Sequence, residues 1–250
     1  MKKKILRGIV AAVFWAAVWF AAAALTGSEL ILPSPVSTFG RLFSLAAESE
    51  FWKSVGMTLV RVVLGMICGC AAGIILAVFA SLSDIISSVL SPAVSVVRAS
   101  PVASFIILVM LWLGNKATPS VISALMVLPV VYVDVLTGLS EVKKEYTEVA
   151  AVFGFRRKDL ILKVYLPSLR PYLYSALKNS VGLSWKSGVA AEVLSLTPLS
   201  IGRNIMAAKN YLETPDLFAW TLTVVVLSIL IEKAVFARLP GKTRRDGAKK

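Results

Sequence analysis

EVAAVFGFRRKDLILKVYLP, residues 148–167, is the stretch that decides how the rest of the chain is read. It is charged and amphipathic, and it lies between two long apolar runs, residues 121–139 and 171–196. Val149, Val152 and Phe153 recur at helical spacing, and Leu160, Ile161, Val164 and Leu166 do so again. Between the two sets, Gly154 can take a positive φ and end a helix. The spacing predicts two short helices broken at Gly154, with a polar bend of Arg156, Arg157, Lys158 and Asp159. A fresh helix start is expected at Pro167, where the missing N–H costs little. Ala150 and Ala151 are small enough to admit another backbone closely. An apolar chain that leaves the bilayer for so long a stretch offers that stretch to something.

The surrounding composition says bilayer. The 250 residues are 57% hydrophobic and 16% charged, with a mean hydropathy of +0.79. Soluble domains run at about 45–50% apolar and about 25% charged. Long apolar runs mean helices, because a β-barrel would show alternating segments of ~10 residues. The net charge of +13 would suggest nucleic acid in a soluble protein. Here the basic residues flank spans, so the positive-inside rule accounts for them and no nucleic-acid partner is expected.

Several chemistries are excluded. The chain has no His, and its two cysteines, Cys68 and Cys70, sit within one apolar run with no further soft ligand. They read as small packing residues, and no metal or cofactor is expected. No Gly-x-x-x-x-Gly-Lys-Ser/Thr loop is encoded, so nucleotide hydrolysis belongs to another chain. Without His, neither a Ser/His/Asp nor a Cys/His set is possible, and the chain does not read as an enzyme.

Along the chain we expect one all-α domain, residues 1–250, forming a polytopic bundle of about six transmembrane spans with its core at about 50–236. Residues 9–25, behind Lys2, Lys3, Lys4 and Arg7, form a first span. A cleavable signal is the competing reading, but its apolar core would be only ~7–15 residues long. Residues 26–53 form a polar connection with a surface helix carrying Phe39, Leu42, Phe43 and Leu45. The second span, 57–79, has Gly65, Gly69, Gly73 and Ala77 along one face. That ridge permits close helix contact, either within the subunit or at a dimer seam. Residues 85–113 exceed one straight span at ~1.5 Å per residue. Pro92, Arg98 and Pro101 break them into a short interfacial helix and a third span ending near Leu113. The fourth, fifth and sixth spans fall at 119–139, 171–196 and 217–235, and a basic, disordered tail at 238–250. Of the 27 basic residues, 17 lie in 1–7, 141–170 and 238–250. This places both termini and the 141–170 loop on the cytoplasmic side.

Charges inside a bilayer are costly and face the bundle interior or water. Asp134 lies in the fourth span, and Lys178, Lys186 and Glu192 lie in the fifth. Positions 178, 182, 185, 186, 189 and 192 read as one polar-aromatic face, with Gly182 and Gly188 giving room. Asp134, Lys178, Gly182, Trp185, Lys186 and Glu192 are therefore the candidate lining of a solute path. Lys178 or Lys186 would attract an anionic or polar solute. The competing readings are internal pairing, such as Lys178 with Asp134, and snorkelling.

The spacing of Glu148, Ala150, Gly154, Leu166 and Pro167 resembles the cytoplasmic loop of ATP-binding cassette (ABC) importer permeases. Val149 departs from the family's usual Ala, keeping a small apolar side chain. Residues 98–114, SWKSGVAAEVL at 184–194, and Ser200-Ile201-Gly202 resemble the nitrate/sulfonate/taurine branch, with Trp185 and Glu192 at matching places. The resemblance implies a type I importer-like core. It also implies that Glu148, Ala150, Ala151, Gly154, Arg156, Arg157, Leu166 and Pro167 belong to a coupling helix seated in a cytoplasmic ATPase subunit. A second permease copy forming a homodimer, an extracytoplasmic substrate-binding protein and a bacterial inner-membrane location follow from the same likeness. Substrates of that branch include sulfonates, nitrate, taurine, bicarbonate and thiamine-precursor pyrimidines. Two other readings exist: an ion-coupled secondary transporter using Asp134, Lys186 and Glu192, and a membrane scaffold. The absence of a visible inverted repeat counts against the first.

Overall fold

The computed structural model describes residues 2–238, whose regular structure is helical throughout; the basic tail from 239 lies outside the described residues. In order come α1 (Lys2–Thr26), α2 (Pro35–Ala46), α3 (Ser49–Leu82), α4 (Asp84–Ala99), α5 (Val102–Ser140) and α6 (Lys144–Val152). Then follow α7 (Arg157–Leu160), a π turn (Ile161–Tyr165), α8 (Leu166–Ser195), α9 (Ile201–Asn210) and α10 (Thr214–Arg238). Residues 9–26, α3, α5 and residues 214–235 are each long and apolar enough to cross a membrane. At 30 residues α8 is also long enough, although its charges lower its hydropathy.

The centre of the bundle is α5 held between α3 and α8. Gly65, Gly69 and Gly73 turn their bare face to Ser120, Ala124 and Leu128 of α5. A Cβ at Gly69 would stand 2.5 Å from the Ala124 carbonyl oxygen, and one at Gly73 2.8 Å from that of Leu128. The small-residue ridge is therefore used inside the subunit, where backbone-to-backbone approach replaces the missing hydrophobic drive between helices in lipid. Where α3, α5 and α8 meet, Gly188 of α8 faces Ser123 of α5 and Val62 of α3, and the Ser123 hydroxyl donates to the Ser184 carbonyl at 3.1 Å.

The third span departs from expectation. α5 is two helices joined at Gly114, whose φ of 73° and ψ of 170° reverse the chain. Ile106 and Val109 before the turn share one buried cluster with Ile122 and Met126 after it. Residues 102–113 cover only about 18 Å at ~1.5 Å per residue, short of the ~30 Å hydrocarbon core. α4 precedes this segment. Its Val94 is buried in a cluster with Ala77 and Ala80 of α3 and Val131 and Val135 of α5. α4 and 102–113 meet at the extended Pro101, and α4 packs on the core through Val94. The apolar face of α4 has a core to join, which its own sequence does not reveal.

At one end of the bundle, side chains fasten the shorter helices. Ser34 caps α2 by accepting from the Ser37 N–H at 3.2 Å. Arg41 of α2 makes a two-pronged pair with Asp216 of α10, the second bond at 2.9 Å. Trp19 of α1 donates to the Pro33 carbonyl at 3.1 Å and stacks on Phe218 at 6.1 Å.

Candidate coupling surface and translocation cleft

The 148–167 stretch lies at the opposite end and breaks where expected. Gly154 has φ +65° and ends α6. The Phe155 N–H reaches back five residues to the Ala150 carbonyl at 2.9 Å, the bond that closes a helix past a left-handed residue. Ala150 is buried, Glu148 is exposed, and the Ala151 side chain lies outside the described ones. Val152 is 85% exposed and Phe153 74% exposed, so both apolar side chains are largely uncovered among the described residues. Arg156, Arg157 and Lys158 stand exposed beside them. Lys163 closes the bend, pairing with Asp159 at 2.7 Å and lying 5.3 Å over the Phe155 ring.

The start of α8 is as expected in place but not in form. Pro167 does stand in the first turn of α8, as its position suggested, but the helix does not start there from extended chain. From Arg157 onward the backbone stays helical through the π turn into α8, with the Leu166 N–H bonding to the Ile161 carbonyl. Pro167 cannot donate, and the wider turn just before it relieves the ring clash that an α-turn would impose, whereas Pro171 lies further along, inside α8. The Ser168 hydroxyl donates at 2.8 Å to the Val164 carbonyl. Leu166 and Pro167 are exposed on this joint. The 157–165 arm is therefore continuous with the span behind it.

The polar residues of α8 do not form the single face that their spacing suggested. Lys178, Gly182 and Lys186 border an open cleft of about 450 Å³ with Asn179, Leu183 and Glu232. Trp185, Val189 and Glu192 lie along the flank of that stripe, outside the cleft lining, and are buried. Trp185 donates to the Val224 carbonyl at 3.1 Å and belongs to a core cluster with Phe51 and Trp220. Asp134 sits on α5, with one carboxylate oxygen enclosed and without a hydrogen-bond partner, and it is not part of the cleft lining. On a 3.6-residue helix all six positions fall within about 120°, and it is the packing of α3, α9 and α10 on one flank that buries 185, 189 and 192 while 178, 182 and 186 stay open.

Glu192 is wholly enclosed and ties three elements together. Its carboxylate accepts from the Thr58 hydroxyl at 2.9 Å and from the Gly202 N–H at 3.3 Å. Arg61 approaches its other oxygen at 3.4 Å and donates to the carbonyls of Pro198 and Leu199 at 2.9 and 3.0 Å. The loop so held contains Leu196 and Leu199 in the left-handed region, with φ of 52° and 50°. Such a conformation costs about 1–2 kcal/mol per non-glycine residue, and the Arg61 bonds offset it.

Sequence reasoning missed Glu232, Thr58 and Arg61. Glu232 was visible as an acid in the last apolar run, but nothing local joins it to Gly182. Arg61 was visible as a charge within the second span, but nothing local joins it to Glu192, and Thr58 gave no signal, because their partner lies far along the chain.

Residues 65–237 match the family described as the binding-protein-dependent transport system inner membrane component. Among curated relatives, the chain is 26% identical over 209 residues to a putative aliphatic sulfonates transport permease protein of Bacillus subtilis, covering 83% of this chain and 75% of that one. It is 25% identical over 222 residues to the taurine transport system permease protein of Escherichia coli, covering 86% and 80%. To a nitrate import permease protein of Synechococcus elongatus it is 27% identical over 204 residues, covering 77% and 72%.

Proposed function

From the premise that this chain belongs to the family of binding-protein-dependent transport system inner membrane components, we propose that it moves a small anionic or polar solute and drives that movement through residues 148–167. The chain is a multi-pass inner-membrane permease subunit of an ABC importer, of the sulfonate/nitrate/taurine type, and not an enzyme. The single observation that carries the proposal is the uncovered surface of Val152 and Phe153 beside Arg156 and Arg157. An exposed apolar patch rimmed by basic residues is a docking face. Cytoplasmic ATPase subunits are its partner, with Glu148, Ala150, Ala151 and Gly154 setting the fit and Leu166 and Pro167 joining the patch to α8.

The path runs along the open stripe of α8. An ammonium in the middle of a span does not face lipid, so Lys178, Gly182 and Lys186 face water or a second permease copy across a homodimer axis. Trp185 and Glu192 hold the stripe in position from its flank, and Asp134 supports it from α5. Solute arrives from an extracytoplasmic binding protein at the end bearing α2 and α9, both termini lying in the cytoplasm. The 1–250 chain works as one domain. When the ATPase pair closes, the 157–165 arm pulls on α8 as a lever and the spans tilt. The cargo is a sulfonate, nitrate or similar small anion.

The test is co-purification from membranes with a quantified ATPase subunit. Gly154→Arg should lose the ATPase while staying in the membrane and keeping its gel-filtration profile. Uptake that survives ATP depletion but collapses with an uncoupler would instead favour the ion-coupled reading.

A further inference from the structure

A second cleft, of about 490 Å³, lies at the end of the bundle bearing α2 and α9. Leu196 and Pro198 form one wall, and α9 with its C-cap forms the other through Arg203, Ala207, Asn210 and Tyr211. Arg203 and Ala207 are one helical turn apart, and Asn210 and Tyr211 follow one turn further, a stripe about 12 Å long. The facing loop is pinned from behind. Arg61 donates to the Pro198 and Leu199 carbonyls at 2.9 and 3.0 Å, and the Thr197 hydroxyl donates to the Asn115 carbonyl at 2.9 Å. A cleft formed in advance spares a ligand the entropy of ordering it. Arg203 is exposed and makes none of the ion pairs among the described residues. No carboxylate borders it in the cleft: Glu192 is enclosed behind the loop, and Glu213 is outside the lining and within electrostatic reach of Arg41.

We propose that this cleft is a capture site for a small organic oxyanion with a short alkyl body, an alkanesulfonate or an alkanecarboxylate. A guanidinium without a carboxylate beside it offers its planar fork to an oxyanion head. The Asn210 amide and the Tyr211 hydroxyl supply further donors along the same stripe. Leu196, Pro198 and Ala207 give the alkyl body an apolar wall. A bare ion such as nitrate uses only the fork, whereas an organic anion uses both walls. The site is separate from the cleft on α8, so it stands whether or not the α8 stripe is the solute path.

The test uses the full-length protein in nanodiscs with Cys68→Ala and Cys70→Ala, and a probe thiol at Ala207→Cys. Sulfonatoethyl methanethiosulfonate labels the thiol at constant ionic strength, with chloride as the balancing anion. Butanesulfonate and butanoate should slow labelling. Methanesulfonate and nitrate should need about tenfold higher concentrations, because they bring little or no alkyl surface to the apolar wall. Arg203→Gln should weaken protection by the butyl anions about tenfold or more. Arg203→Lys, which keeps the charge and loses the fork, should fall between. A control thiol at Gly40→Cys, at the same end and in open space, should not be protected. Protection by only one of the two butyl anions supports the site and assigns it to that head group. Absence of protection by both overturns it, as does equal protection in Arg203→Gln, nitrate matching butanesulfonate, or equal slowing at Gly40→Cys. A thiol at 207 that does not react overturns it too, because the cleft would not be open. None of these results touches labelling in the α8 cleft, which tests the path by itself.

Discussion

Glu192 and Thr58, 134 residues apart in sequence, meet through a 2.9 Å hydrogen bond in which the hydroxyl donates to a fully enclosed carboxylate. The same carboxylate faces Arg61, which grips the two carbonyls of the following loop. Removing one member of such a buried set leaves the others desolvated. Glu192→Ala should therefore lose about 3 kcal/mol. Glu192→Gln, whose amide oxygen can still accept from Thr58 and Gly202, should lose about 1 kcal/mol. Thermal unfolding in detergent followed by size-exclusion fluorescence reads the difference. Equal melting of Glu192→Ala and the parent would show that the network holds nothing.

Gly69 and Gly56 lie on the same helix and should respond oppositely to alanine. At Gly69 the new methyl group meets the Ala124 backbone at 2.5 Å, so Gly69→Ala should cost about 1–3 kcal/mol and lower the folded yield. At Gly56 nothing lies within 4 Å, and replacing a mid-helix glycine should gain about 0.5–1 kcal/mol. The pair is compared by melting temperature and expression level. A neutral Gly69→Ala would contradict the close packing of α3 on α5.

Gly154→Ala separates conformation from contact. There is open space around it, but its φ is +65°. A side chain there costs about 1–2 kcal/mol of local backbone energy, enough to loosen the α6–α7 corner without unfolding the spans. We expect a weakened but measurable hold on the ATPase, graded between the parent and Gly154→Arg. Retention of full binding by Gly154→Ala would mean that the left-handed turn does not set the docking geometry.

Accessibility along α8 should alternate. In a background lacking Cys68 and Cys70, a thiol at 186 should react with a polar reagent and one at 189 should not, because Lys186 faces the cleft while Val189 is 6% exposed. Reaction at 189 with silence at 186 would reverse the assignment of faces.

The Ser37 hydroxyl, donating at 2.7 Å, holds the Glu29 carboxylate below the usual carboxylate range. A group whose folded pKa is depressed adds stability above its unfolded value, near ~4.3 for Glu, and that contribution is lost as pH falls through the folded value. Glu29 is fully exposed, so the effect should be small and confined to acid. Glu29→Gln should flatten the acid limb of the melting-temperature profile below pH ~4 and leave neutral pH unchanged. An identical acid limb in both proteins would rule out this contribution.

Much of the architecture is written locally. Apolar runs and their lengths set the number of crossings, and the four-residue recurrence of Gly65, Gly69 and Gly73 announced a contact face. The spacing from Glu148 to Pro167 announced the protruding stretch and its break at Gly154. These are properties of a helix and its solvent, and each is set within a few turns of chain. The tertiary structure alone decided what each surface meets. The glycine ridge chose α5, α4 packed Val94 into the core, Glu192 was enclosed with Thr58 and Arg61, and Glu232 arrived opposite Gly182. Helical period fixes which side chains share a stripe, but a stripe's partner lies dozens to more than a hundred residues away. Only the simultaneous packing of all the helices selects it.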